Sequence, residues 1–196
     1  MLYVKFDIIN INKFTDFKRL FSHMVAARQP NYKPEELNEE IEIEVEVDFS
    51  TMSSEEITAY FIADLEDALD EYIQTKRYKK MIPTYAFSFL EEYIAFENKT
   101  TGVYGFHLEG LFTYLENDFE VDLDALKKVD SEGIIEFSSG NYPFGGLERF
   151  MMTLKAFDLI PKECFNGFEV LNISWKSKFV CATESLPKKT KEYLSN

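Results

Sequence analysis

Three stretches of the chain hold residues whose types and spacing could do chemistry. The first is the loop at residues 138–146, S-S-G-N-Y-P-F-G-G, between a short apolar run and a helix-period run that begins at Leu147. Glycines at a strand-to-helix junction leave backbone N–H groups able to face an anion. Ser138, Ser139, Asn141 and Tyr142 add polar groups, and Arg149 stands in the first helical turn. The loop lacks the Gly-Lys-Ser/Thr of a phosphate-binding P-loop and the spacing of a dinucleotide fingerprint. Two functional readings follow. Asn141, Gly145 and Gly146, with Arg149, would form a small-anion site. Alternatively, Tyr142 and Phe144 would anchor a protein partner, as exposed aromatics do at interfaces. The plainer reading is a turn whose glycines allow unusual backbone angles while Phe144 plugs the core.

The second stretch is residues 41–48. Ile41, Ile43, Val45 and Val47 alternate with Glu42, Glu44, Glu46 and Asp48. Only a period of two fits, so a strand with one apolar and one acidic face is expected. Like charges in a row repel. They are tolerated at a sheet edge, where they block unwanted pairing, or opposite a basic partner. The third stretch pairs His107 with Glu109, two apart on an expected strand and therefore on one side. A histidine beside a carboxylate is a minimal acid–base pair, although a structural His107 is the simpler expectation.

Other chemistries find no support. No G-x-S-x-G elbow occurs, and no histidine matches the serines of the loop. Asp118, Glu120, Asp122 and Asp124 lack the central glycine and the final glutamate of a calcium loop. His23 and His107, with Cys164 and Cys181, show no zinc spacing. Cys164 is expected near a helix C-terminus, the wrong end to activate a thiol. No cofactor or metal motif is found, and the many acids do not single out a glycosidase pair.

These residues must be held by a chain of 196 residues with 45% hydrophobic and 16% aromatic content, long enough to bury a core unaided. One α+β domain over 1–196 is expected, with a subdivision near residues 80–100 as the alternative. The net charge of −14 concentrates in the middle of the chain. It opposes binding to nucleic acid and anionic lipid and favours a basic partner. The two cysteines suggest no disulfide framework, the first residues do not read as a signal peptide, and no apolar run reaches membrane-spanning length. A cytoplasmic location is the resulting expectation.

The elements follow from pattern. Leu2, Val4, Phe6 and Ile8 alternate as a strand. A helix follows from a cap at Asn10 or Asn12 to near Gln29, with Phe14, Phe17, Leu20, Phe21, Met24 and Val25 recurring at helical spacing. Ser53 and Glu56 have capping-box spacing for a second helix, and a third is expected after Pro83. Residues 102–115 are expected as strand, and a short helix capped by Asp122 is expected through Val129. The run from Ile134 to Phe137 reads as a strand. A helix from Leu147 is expected to stop near Pro161, before a strand that buries Leu171, Ile173 and Trp175. A final strand at residues 178–183 precedes a loose tail. Two β-α-β passages, at residues 2–47 and 134–175, imply a mixed or antiparallel sheet packed against helices, with ferredoxin-like topology as one option. The functional expectation is an acidic protein-binding module, of inhibitor or immunity type, acting on a basic partner. The alternative is a small ligand-binding domain or enzyme using the loop before Leu147. The sequence leaves the oligomeric state open.

Overall fold

A computed structural model describes residues 1–33, 49–102, 107–118, 121–139 and 147–195. In chain order the elements are β1 (Leu2–Ile8), α1 (Ile11–Ala27), α2 (Ser54–Met81), α3 (Thr84–Thr101), α4 (Leu108–Thr113), β2 (Val121–Val129), β3 (Glu132–Ser139), α5 (Leu147–Ala156), β4 (Leu159–Phe165), β5 (Val170–Trp175), β6 (Cys181–Ser185) and α6 (Pro187–Leu194). A 3-10 turn precedes α2, and a π-helical turn at Tyr114–Asp118 follows α4. The strands form one sheet in the order β2-β3-β1-β4-β5-β6, and every neighbouring pair is antiparallel. The expected antiparallel sheet packed against several helices is therefore present.

The apolar alternation of β1 sets the layers. Leu2, Val4 and Phe6 are buried and meet Ile135 and Phe137 of β3 on the same side. There they face Phe14, Phe17 and Leu20 of α1 and Phe150 and Leu154 of α5 in one core cluster. Gly133 lies opposite Phe6, and a β-carbon there would collide with the Phe6 ring. The other side of the sheet carries Lys5, Asp7, Glu132, Glu136 and Lys127. Among the described elements α6 covers it near one end, setting Tyr193 against Tyr3 and Phe165 at ring distances of 5.2 and 4.7 Å.

The expected caps form. The Asn10 side chain accepts from the backbone N–H of Asn12 at 2.9 Å. Ser53 and Glu56 make a reciprocal capping box at 3.2 and 2.8 Å. Gly102 ends α3 in the left-handed region with φ 66°.

Several expectations are corrected. Within the stretch 102–115 expected as strand, residues 108–115 are helical, because Leu111, Phe112 and Leu115 are buried together on one helical side. Residues 121–129 are strand, not helix. Asp130, at φ 52°, turns β2 directly into a hairpin with β3. The α5 helix stops at Ala156, and Asp158 at φ 55° reverses the chain. Pro161 then lies inside β4, aligned with Phe6 at a register shift between Lys5 and Phe6. A strand tolerates proline at such a bulge, where one ladder bond is already missing. Cys164 is thus a strand residue rather than one following a helix. On β5, Val170 and Ile173 are the buried residues, while Leu171 and Trp175 are half-buried. Val170 is covered from the second side by α6, whose Thr190 hydroxyl accepts its N–H at 2.9 Å. The last strand begins at Cys181, and residues 187–194 form α6 instead of a loose tail.

Candidate functional site

Most residues expected to act lie outside the described residues. This holds for Glu42, Glu44, Glu46 and Asp48, and for Asn141, Tyr142, Phe144, Gly145 and Gly146. His107 is exposed and occupies the N-cap of α4 without a side-chain capping bond. Glu109 belongs to α4, so the expected strand geometry that would set these two side by side is corrected. Arg149 is in α5, with its guanidinium 3.6 Å from Glu97 and 5.9 Å from the centre of the Tyr114 ring.

The structure instead gathers titratable groups around Glu116. A π-helical turn widens the helix and shifts side-chain phase. Here Tyr114, Leu115 and Glu116 are all buried in succession. Glu116, 6% exposed, accepts from His23 Nε2 of α1 at 2.6 Å and from Arg77 Nη2 of α2. Burial works to raise the Glu116 pKa, but hydrogen bonds from His23 and Tyr78 and the charge of Arg77 outweigh it, leaving it below the usual carboxylate range. Tyr78 is fully buried, stacks on Phe112 at 3.8 Å and reaches the Phe112 carbonyl oxygen at 3.4 Å. Burial first, then Glu116, pushes the Tyr78 phenol up. The His23 ring stands edge-on to Tyr78 at 5.6 Å and Tyr32 at 5.9 Å.

The cluster continues past Tyr114. Burial raises the Tyr114 phenol, against the pull of Arg149 and Arg28. Arg28, whose pKa is lowered by burial, donates to the Met24 carbonyl at 2.7 Å. Tyr93 is raised by burial and by its hydrogen bond with Glu97. Two buried atoms have no hydrogen-bond partner in this row, Arg77 Nε and Glu97 Oε2. His23 and Glu116 form a close histidine–carboxylate contact. Arg77 keeps Glu116 ionised, which suits an anchor that orients His23 better than a proton donor. The sequence did carry a signal for this site. Glu116 is the first acid after the apolar run L-F-T-Y-L, and His23 follows the buried Leu20 at helical spacing.

A second carboxylate cluster sits on the other side of the sheet. Glu163 of β4 accepts from Tyr3 at 2.9 Å, Lys5 at 2.8 Å and Lys189 of α6 at 2.5 Å. Burial acts to raise it, but these three donors push its pKa down to about 2. Two further lysines form ion pairs on the open face. Lys162 bridges Asp7 and Glu132, and Lys127 reaches Glu136 at 2.5 Å.

Lys155 of α5 is buried, with its ammonium 3.5 Å from the centre of the Trp175 ring and donating to the Lys178 carbonyl. Burial brings its pKa down to about 8. Cys164 and Cys181 are unbridged, and burial raises both thiols, Cys164 to about 11, which keeps them protonated at neutral pH. A shallow groove of about 540 Å³ runs along α6 between Glu169, Ser185, Lys191 and Leu194. Among the described residues no His, Cys, Asp and Glu side chains gather as a metal-binding group. No described helix is long and apolar enough to cross a membrane. No known family matches the chain, and comparisons with curated proteins and with solved structures find no match.

Proposed function

We propose that this protein is an acidic protein-binding module, of inhibitor or immunity type, that acts on a basic partner. One observation carries the reading: the carboxylates buried in the described structure, Glu116 and Glu163, are compensated by their own neighbours, while more than half of the net negative charge lies in residues 34–48. Glu163 is met by two lysines and Glu116 by an arginine and a histidine, and on the open face Lys162 meets Asp7 and Glu132 and Lys127 meets Glu136. Residues 34–48 hold eight acids and no base, more than half of the net charge of −14. A surplus of this kind speeds encounter with a cationic surface and discriminates among partners. Glu42, Glu44, Glu46 and Asp48 form the charge-complementary set, with Tyr142 and Phe144 as aromatic anchors. The rival reading, a ligand site built on Arg149, is disfavoured because that guanidinium faces Glu97 and Tyr114.

The test is a pull-down from native lysate at about 0.05 M and about 0.5 M salt, beside the variant Glu42→Gln/Glu44→Gln/Glu46→Gln/Asp48→Asn. A basic partner held at low salt, weakened at high salt and lost by the variant is expected. Equal retention by the variant sinks the proposal.

Two finer readings belong here. The β1-α1-β2-β3-α5-β4 part is read as ferredoxin-like. Its support is the strand order β2-β3-β1-β4, with β3 and β4 flanking β1 as a split β-α-β unit. The unbridged Cys164 and Cys181 support a cytoplasmic location.

A further inference from the structure

Among the described residues, β2 forms one edge of the sheet. It reads V-D-L-D-A-L-K-K-V, acidic in its first half and basic in its second. An antiparallel partner of the same sequence runs the other way, so acids meet bases twice about a two-fold axis. Which acid meets which base depends on the side of the sheet each residue occupies, because directly paired residues share a side.

The pairing with β3 settles the sides. Phe137 and Ile135 of β3 are fully buried toward the helices, so Ser138, Glu136 and Ile134 point to the open face. Asp122 pairs with Ser138 and Lys127 with Ile134, which puts both on the open face. Leu123 pairs with Phe137 and Leu126 with Ile135, which puts both on the helix side. An uninterrupted strand could not do this, since Asp122 and Lys127 are an odd number of residues apart. The register shift between Leu123 and Ala125 supplies the change of phase.

We infer that two copies of this chain join through β2 in an antiparallel ladder centred on the Asp124–Ala125 bulge. In that register Asp122 of each copy lies opposite Lys127 of the other on the open face, and Leu123 opposite Leu126 on the helix side. No other two-fold register of β2 matches both charges and sides. Bulges and charges on an edge ordinarily discourage pairing with arbitrary strands. Here they also select one strand, the same one in a second copy. The opposite edge offers no such match: β6 is C-A-T-E-S, with Glu184 and no base. Lys127 also meets Glu136 within its own chain at 2.5 Å, so in the pair it bridges two carboxylates.

Sedimentation equilibrium of the full chain over a wide concentration range tests this. The unmodified chain should show a reversible monomer–dimer equilibrium. Asp122→Lys alone and Lys127→Asp alone should each weaken self-association about 10-fold or more, because like charges then stand opposite. Mixing the two variants should restore it as a heterodimer, since one chain then carries a base at both positions and the other an acid at both. Adding Glu136→Gln to Lys127→Asp removes the repulsion within the chain should that variant be poorly folded by circular dichroism. An unmodified chain that stays monomeric overturns the inference. So does a dimer indifferent to both variants, or a mixture that associates no better than either variant alone.

Discussion

Glu116 and Glu163 are the same motif in two settings. Each is a buried carboxylate held by two nitrogen-bearing side chains and one tyrosine, and each is pulled below its ordinary pKa. The partners differ. Arg77 and His23, around Glu116, are only 10% and 13% exposed and come from α2 and α1. Lys5 and Lys189, around Glu163, are 34% and 57% exposed and reach in from the rim of the open face. When a partner is lost, water can enter at Glu163 but not readily at Glu116. The Glu116 cluster should therefore fail abruptly and the Glu163 cluster gradually, even though their hydrogen-bond lists look alike.

The largest effect should come from Arg77→Met. It leaves Glu116 buried with only His23 and Tyr78 and should cost about 3–5 kcal/mol in urea unfolding at neutral pH. Adding Glu116→Gln should recover much of that loss. If the single variant costs no more than an exposed ion pair, the distinction between the two settings fails.

The acid dependence of Glu163 sharpens the comparison. Its folded pKa, about 2, lies below the ordinary 4.5. The stability it contributes is therefore fully present above about pH 4.5 and is lost as pH falls toward about 2. Glu163→Gln should lower the melting temperature at neutral pH and flatten its decline between those values. A decline as steep as that of the unmodified chain would show that Glu163 is not the group responsible.

The smallest effect should come from Lys162→Met, whose partners Asp7 and Glu132 are 46% and 53% exposed. A loss below about 1 kcal/mol that shrinks with added salt is expected. A larger, salt-independent loss would mean that the open face is held as tightly as the interior.

Local chemistry was enough to write much of this fold in the sequence. The alternation of Leu2, Val4 and Phe6, the Asn10 cap, the Ser53–Glu56 capping box and the break at Pro83 each act within a few residues, and each lies where its pattern places it. Local pattern misleads where packing outweighs propensity. Residues 102–115 are aromatic and glycine-containing enough to read as strand, but burying Leu111, Phe112 and Leu115 together requires a helix. Residues 121–129 read as a capped helix until the hairpin with β3 claims them. Pro161 looks like a terminator until a bulge opposite Phe6 accommodates it.

The candidate site was legible only as isolated signals. Any reader of the chain can find His23, Arg77 and Glu116, and nothing in their spacing joins them. By itself the sequence determined the acidic surplus, the caps and the strand and helix periods, because those depend on neighbours along the chain. Tertiary structure alone decided that His23 meets Glu116 across 93 positions and Tyr3 meets Glu163 across 160. Such contacts arise when whole faces are buried against one another, and the pairing of faces is a property of the folded sheet and its helices.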